Sequence, residues 1–227
     1  MLRIEIKGAI VSNDDKAAYD YFNLEATCPR DVLQKLKEAG TEYVDVFINS
    51  GGGDIFAGSE IYSALRSYQG KIKIHVVGLA ASAASVILCA GESDITPTGM
   101  VMVHNVSGYA SGDYRQMDKT AEVLKKANSA IAEAYMNKTK MTRDEALQLM
   151  EQETWLTAEE AIRKGLVDRM EEPPVKLVAS LACTLLPREV IEKTMQTMNA
   201  HNPRKADIFM RERAKATLRL LKLGGKQ

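Results

Sequence analysis

Ser82 stands in Gly78-Leu79-Ala80-Ala81-Ser82-Ala83-Ala84, where an apolar, strand-like run gives way to small residues and then to a helical pattern. A serine at such a turn lies beside the unpaired N–H groups and positive dipole end of the helix that follows, which favour a developing alkoxide or oxyanion. Serine is also a common helix cap, and Ser85 follows one turn later on a similar face, so this residue by itself decides nothing. A second small-residue segment, Ser50-Gly51-Gly52-Gly53-Asp54, is expected as a loop between a strand and a helix, where backbone can approach a substrate and offer N–H donors. It is not a phosphate cradle: the Gly-Lys-Ser/Thr ending of the P-loop is absent, and Phe56 occupies the third glycine position of the dinucleotide fingerprint. An oxyanion hole remains, with the N–H groups of Gly53 and Ala83 as donors.

Among the histidines, His75 sits in a Lys-Ile-Lys-Ile-His alternation and His201 in a polar C-terminal stretch, whereas His104 ends a short apolar strand. That strand follows the Ser82 helix, and the order of a sheet could bring the two together, which makes His104 the candidate general base. The carboxylate that would hold the imidazole in one tautomer is open at this point between Glu151, Glu153 and Asp168.

The elements that must position these groups follow from apolar periodicity. Ile4–Ile10 reads as a strand, 14–25 as a polar and aromatic stretch, and Pro29 to Ala39 as a helix stopped by Gly40. The runs 43–49 and 71–78 are strands, each followed by a helical pattern, 55–68 and 82–90. Consecutive β-turn-α units imply an α/β fold with a largely parallel sheet. Residues 99–104 form a shorter strand, and a helix from Tyr114 to about Lys138 is longer than one face of a compact domain needs, so it is expected to project and pack on another subunit. Thr142 and Thr157 open capping boxes with Glu145 and Glu160. Pro173-Pro174 marks a boundary, giving a domain over 1–172 and a basic, largely helical extension over 173–227.

At 227 residues, 45% hydrophobic and 26% charged, the chain can bury one medium core and a small appendage. Thirty basic and thirty acidic side chains cancel, which removes any whole-protein electrostatic case for nucleic acid or membrane. Cys28, Cys89 and Cys183 are odd in number and form no close pair, an arrangement that disfavours a disulfide framework or a zinc site and suits reduced thiols in a cytoplasmic setting. The first residues alternate apolar and charged, without a signal-peptide core, and the longest apolar stretch, 76–90, is too short for a membrane span.

Taken in order, these segments resemble the Clp proteolytic subunit, ClpP, from Ile4 to Met170. Ile48-Asn49-Ser50-Gly51-Gly52-Gly53 followed by Ala57-Gly58 is similar to that family's Ser-Pro-Gly-Gly segment, with Gly51 in place of the proline. Gly78–Ser82 resembles its nucleophile turn, Met102-Val103-His104 its histidine strand, and Leu156–Ala161 with Gly165–Asp168 the segment after its catalytic aspartate. The resemblance implies a ClpP/crotonase-like fold with a projecting handle helix and a triad of Ser82, His104 and Glu153, the last replacing an aspartate. It also implies a homo-oligomeric ring, heptameric or double, hydrolysing polypeptides with no metal or organic cofactor and no ATP in the chemical step.

Two features are unlike the housekeeping subunit. The segment 10–23 resembles the start of ClpP-related head-maturation proteases of phages and prophages. The extension carries eight basic and two acidic residues between Arg204 and Lys226, read either as a solvated amphipathic helix or as a contact with acidic scaffold or DNA. The resulting expectation is processing of scaffold and capsid precursors. The alternatives are a general cytosolic ClpP-like subunit fed by an ATPase, then a crotonase-type acyl-CoA enzyme or a non-catalytic ring.

Overall fold

The computed structural model describes residues 2–171. The 173–227 extension, with its basic run, Cys183 and His201, lies outside the described residues.

In chain order the elements are β1 (Leu2–Ile10), α1 (Lys16–Tyr21), β2 (Ala26–Thr27), α2 (Pro29–Ala39), β3 (Val44–Gly53), α3 (Ile55–Ser67), β4 (Ile72–Ala81), α4 (Ala83–Leu88), β5 (Glu92–Ile95), β6 (Met100–Val103), α5 (Tyr114–Thr139), α6 (Arg143–Glu151), β7 (Thr154–Thr157), α7 (Ala158–Arg163) and β8 (Arg169–Met170). The strands form one sheet with central order β2-β1-β3-β4-β5-β8; β6 pairs with β4 and carries β7 beyond it. Every pairing is parallel except β6–β7. The expected α/β plan of repeated β-α units is therefore the observed one.

Alternation in the central strands divides the sheet into two unlike faces. Ile4, Ile6, Val44, Val46, Ile48, Ile74 and Val76 are buried and belong to one core with Val32 and Leu36 of α2, Ile61 and Leu65 of α3, and all the apolar residues of α4. Each such side chain contributes roughly 1.5–3 kcal/mol by leaving water. The intervening positions carry charge: His75 bridges Asp94 (Nδ1, 2.7 Å) and Asp45 (Nε2, 2.9 Å), Lys73 pairs with Asp94 at 2.7 Å, and the Phe47 ring stacks on His75 at 4.7 Å. His75, which sequence periodicity left as an ordinary strand residue, is thus the centre of a polar network tying three strands together.

Local signals account for the helix starts. Pro29 opens α2 at N1 with a capping box between Cys28 and Asp31, and Thr142 and Thr157 cap α6 and α7 in the expected capping boxes. In α5 the buried residues, Ile131, Ala132, Ala134 and Tyr135, all fall in the C-terminal half of its 26 residues. The N-terminal half extends away from the core.

The glycine segment departs from expectation. Residues 51–53 are not a loop: they are the last residues of β3, and Gly52 and Gly53 pair with Ala9 and Ile10 of β1 after a register shift. The polar stretch 14–25 also holds α1, a six-residue helix with no buried residue and hence no periodic signal.

Candidate active site

The site is assembled at the C-terminal ends of the parallel strands. Register brings β4 and β6 side by side with Ala81 opposite Met102, and the Ser82 N–H continues the pairing by donating to the Met102 carbonyl at 2.9 Å. Two residues further along β6's path His104 comes level with the turn, and its Nε2 lies 2.7 Å from Ser82 Oγ. The pair that sequence order could only suggest is in hydrogen-bond contact.

Ser82 itself has φ 55° and ψ −123°, a conformation that non-glycine residues rarely adopt. This places it between strand and helix with its side chain free of the capping role: no side-chain cap hydrogen bond is made at the start of α4. The competing reading of Ser82 as a simple N-cap is therefore not what the geometry shows. Beside it, Gly52 (φ 91°) approaches so closely that an added Cβ would lie 2.7 Å from both the Ala81 carbonyl oxygen and Ser82 Cβ. Gly53 (φ 148°) is equally constrained, since a Cβ there would meet the Ile10 carbonyl oxygen at 2.1 Å. Gly52 lets the end of β3 lie against the β4–α4 turn, and Gly53 lets it lie against β1.

Gly53, Ser82 and His104 line one cleft of about 300 Å³, completed by mostly apolar residues that include Phe56, Val106, Leu124, Ile131 and Tyr135. Ala83 is the first residue of α4 and is buried; a first-turn N–H has no acceptor within its own helix. The Gly52 N–H is held by Ser50 Oγ at 3.1 Å.

The three candidate carboxylates separate. β7 pairs antiparallel with β6, its first residue Thr154 opposite Val103, the last of β6, so Glu153 and His104 each lie one residue beyond the paired ends. Glu153 is exposed, has φ 47°, and among the described residues no hydrogen bond joins it to His104. Asp168 is engaged elsewhere: its carboxylate accepts from the Ser93 N–H (2.7 Å) and from Lys138 Nζ (2.5 Å). Burial acts to raise its pKa, but Lys138 and Ser93 outweigh that and hold it below the ordinary carboxylate value. Glu151 ends α6 and is exposed.

No thiol competes with Ser82 within the described residues. Cys89 is buried and its Sγ donates to the Ser85 carbonyl at 3.3 Å, with burial pushing its pKa up to about 12; Cys28 is buried and likewise raised by desolvation. Among the described residues no group of three or more His, Cys, Asp and Glu side chains is arranged to hold a metal ion, and no helix is long and apolar enough to cross a membrane.

Sequence reasoning missed one contributor. Tyr135, buried on α5, lines the cleft and touches Ser85 Oγ at 2.8 Å. No motif marks it, because a tyrosine in a long helix carries no sign of which face turns inward.

The profile of the Clp protease family matches residues 28–173. An ATP-dependent Clp protease proteolytic subunit from Deinococcus radiodurans is 28% identical over 130 residues, 56% of this chain and 64% of that relative's length. Among solved structures, a mutant of ClpP1 from Listeria monocytogenes superposes with a TM-score of 0.62 at 21% identity, covering 75% of this chain and 91% of that one. The structural likeness shows a shared fold.

Proposed function

The chain belongs to the Clp protease family, and from that membership we propose that it is a serine endopeptidase with Ser82 as nucleophile and His104 as general base. The observation carrying this reading is the 2.7 Å contact between His104 Nε2 and Ser82 Oγ at the wall of an apolar cleft.

His104 Nε2 accepts the Ser82 proton as Oγ attacks the scissile carbonyl, forming a tetrahedral adduct whose oxyanion receives hydrogen bonds from the Gly53 and Ala83 N–H groups. The protonated His104 then delivers that proton to the leaving amine, and the acyl-enzyme forms. Water, deprotonated by His104, attacks the ester, and the collapse of the second adduct returns the proton to Ser82 Oγ. Glu153, exposed and one residue before β7, makes no hydrogen bond to His104 among the described residues, so the proton transfers rest on the Ser82–His104 pair and Glu153 adds only a weak orienting influence on the ring. The apolar lining favours substrates with an apolar side chain beside the scissile bond. Acyl-CoA thioester turnover finds less support, because oxyanion donors alone would serve it without a serine–histidine pair.

For the physiological setting, the named relatives favour a general proteolytic subunit over a head-maturation protease. Such a subunit would assemble as a ring and receive unfolded chains from an ATPase, the hydrolysis itself consuming no ATP. The segment 10–23 supports the second setting, processing of scaffold and capsid precursors. Hydrolysis of a fluorogenic peptide with an apolar residue before the scissile bond, present in the wild type and absent in Ser82→Ala, is the expected result. Turnover retained by Ser82→Ala would overturn the peptidase reading. Degradation of a folded protein only when a Clp-type ATPase and ATP are added would favour the general subunit; ATPase-independent cleavage of a capsid or scaffold precursor at discrete sites would favour the other setting.

A further inference from the structure

A line of two buried hydroxyl groups, Tyr135 and Ser85, ends on the backbone carbonyl of Ser82. Ser85, wholly buried in α4, donates its Oγ proton to the Ser82 carbonyl at 2.6 Å. A serine hydroxyl has a single proton. At the 2.8 Å contact between Ser85 Oγ and Tyr135 Oη the phenol must therefore be the donor, giving a directed relay from Tyr135 through Ser85 to the Ser82 carbonyl. Burial pushes the Tyr135 phenol above its ordinary value, so it keeps the proton that this direction requires.

The carbonyl at the end of the relay is unusually well held. It also accepts from the backbone N–H groups of Ser85 at 2.9 Å and Val86 at 3.4 Å. Its residue is the one with φ 55° and ψ −123°, and such backbone persists only where its surroundings over-determine it. A hydroxyl already polarised by an incoming donor is also a better donor itself, so the Tyr135 bond strengthens the Ser85 bond to Ser82.

Building on the peptidase reading above, we propose that Tyr135 is a positioning residue which acts through Ser85 to clamp the nucleophile turn and set the distance between Ser82 Oγ and His104. Tyr135 lies on α5 and also lines the cleft. The relay therefore couples the helix that shapes substrate binding to the backbone that presents the nucleophile. A displacement of α5 would break the hydrogen bond to Ser85 before it disturbed the Ser82–His104 contact directly.

The test uses Tyr135→Phe, which keeps the ring in the cleft and removes only the hydroxyl, together with Ser85→Ala and the double variant. Peptide kcat and KM, the rate of labelling by a serine-directed phosphonate, and the thermal midpoint are measured for each in the assembled protein. We expect Tyr135→Phe to lower kcat and the labelling rate together by roughly tenfold, the size of one lost hydrogen bond, with KM unchanged. In the Ser85→Ala background the same substitution should produce no further loss, because its route to Ser82 is already gone. A merely structural tyrosine would lower the thermal midpoint and leave kcat and the labelling rate at wild-type values, which would overturn the proposal. So would a loss that repeats in full in the Ser85→Ala background. Absence of labelling in the wild type would overturn the peptidase reading and the positioning role with it, an outcome distinct from a labelled wild type with an unaffected Tyr135→Phe.

Discussion

His104 can serve Ser82 only through Nε2, so its replacement removes the base while leaving the oxyanion donors in place. His104→Ala should lower kcat by at least about a thousandfold with little change in KM, checked by steady-state peptide hydrolysis. Glu153 stands differently. It lies one residue beyond the paired end of β7, as His104 does beyond that of β6, and makes no hydrogen bond to His104 within the described residues, so Glu153→Ala should cost far less than the ~10⁴ that follows loss of a bonded triad carboxylate. A loss of that full size would mean that the carboxylate swings onto His104 in the working enzyme. At this scale Ser82 and His104 were legible because each sits where a strand ends, a position set by local pattern. Local pattern left the carboxylate open between Glu151, Glu153 and Asp168, and only the family resemblance chose Glu153, because its position depends on β7, a four-residue strand with no apolar run to announce it. Tyr135 was hidden for a related reason, its role depending on a partner 50 residues away.

Between elements, the tightest junction is that of β3 with the β4–α4 turn. Gly52→Ala would place a methyl group 2.7 Å from the Ala81 carbonyl oxygen at a backbone angle of φ 91°. The expected cost is about 1–3 kcal/mol of stability with most of the activity lost, read from thermal unfolding and peptide turnover on one preparation. The expectation of a loop at 51–53 failed because glycine is the common residue of turns, whereas here it continues a strand; the pairing that decides this comes from β1, more than forty residues earlier. The starts of α6 and α7, by contrast, were legible to the residue, since a capping box is complete within four positions.

Asp168 joins the segment after α7 to β5 and α5. Its pKa is held below the ordinary 3.8, so the folded state binds its proton less readily than the unfolded chain. The stability it contributes is therefore full above the unfolded value and is lost as pH falls through the lower folded one. Asp168→Asn should lower the unfolding midpoint at neutral pH, and the gap from wild type should close below about pH 4. A gap that stays constant down to pH 2 would contradict the ion-pair account.

For the whole molecule, the outer half of α5 is the part that the described domain does not explain. At about 1.5 Å per residue the helix is some 39 Å long, and Tyr114, Met117 and Val123 are exposed along its outer half. Helices of this kind are stabilised by packing rather than by propensity. The proposed ring supplies that packing from neighbouring copies, so Tyr114→Glu with Met117→Glu should shift native mass spectra toward smaller species while leaving the thermal unfolding of the domain nearly unchanged. A spectrum identical to wild type would remove α5 from the assembly interface.

Whether Ser82 is an activated nucleophile is decided by treating the assembled protein with a serine-directed phosphonate and mapping the adduct by mass spectrometry. A single adduct on the peptide containing Ser82 is expected, absent in Ser82→Ala and strongly slowed in His104→Ala. An assembled wild-type protein that takes up no label, or takes it up elsewhere and equally in Ser82→Ala, would contradict that reading of Ser82.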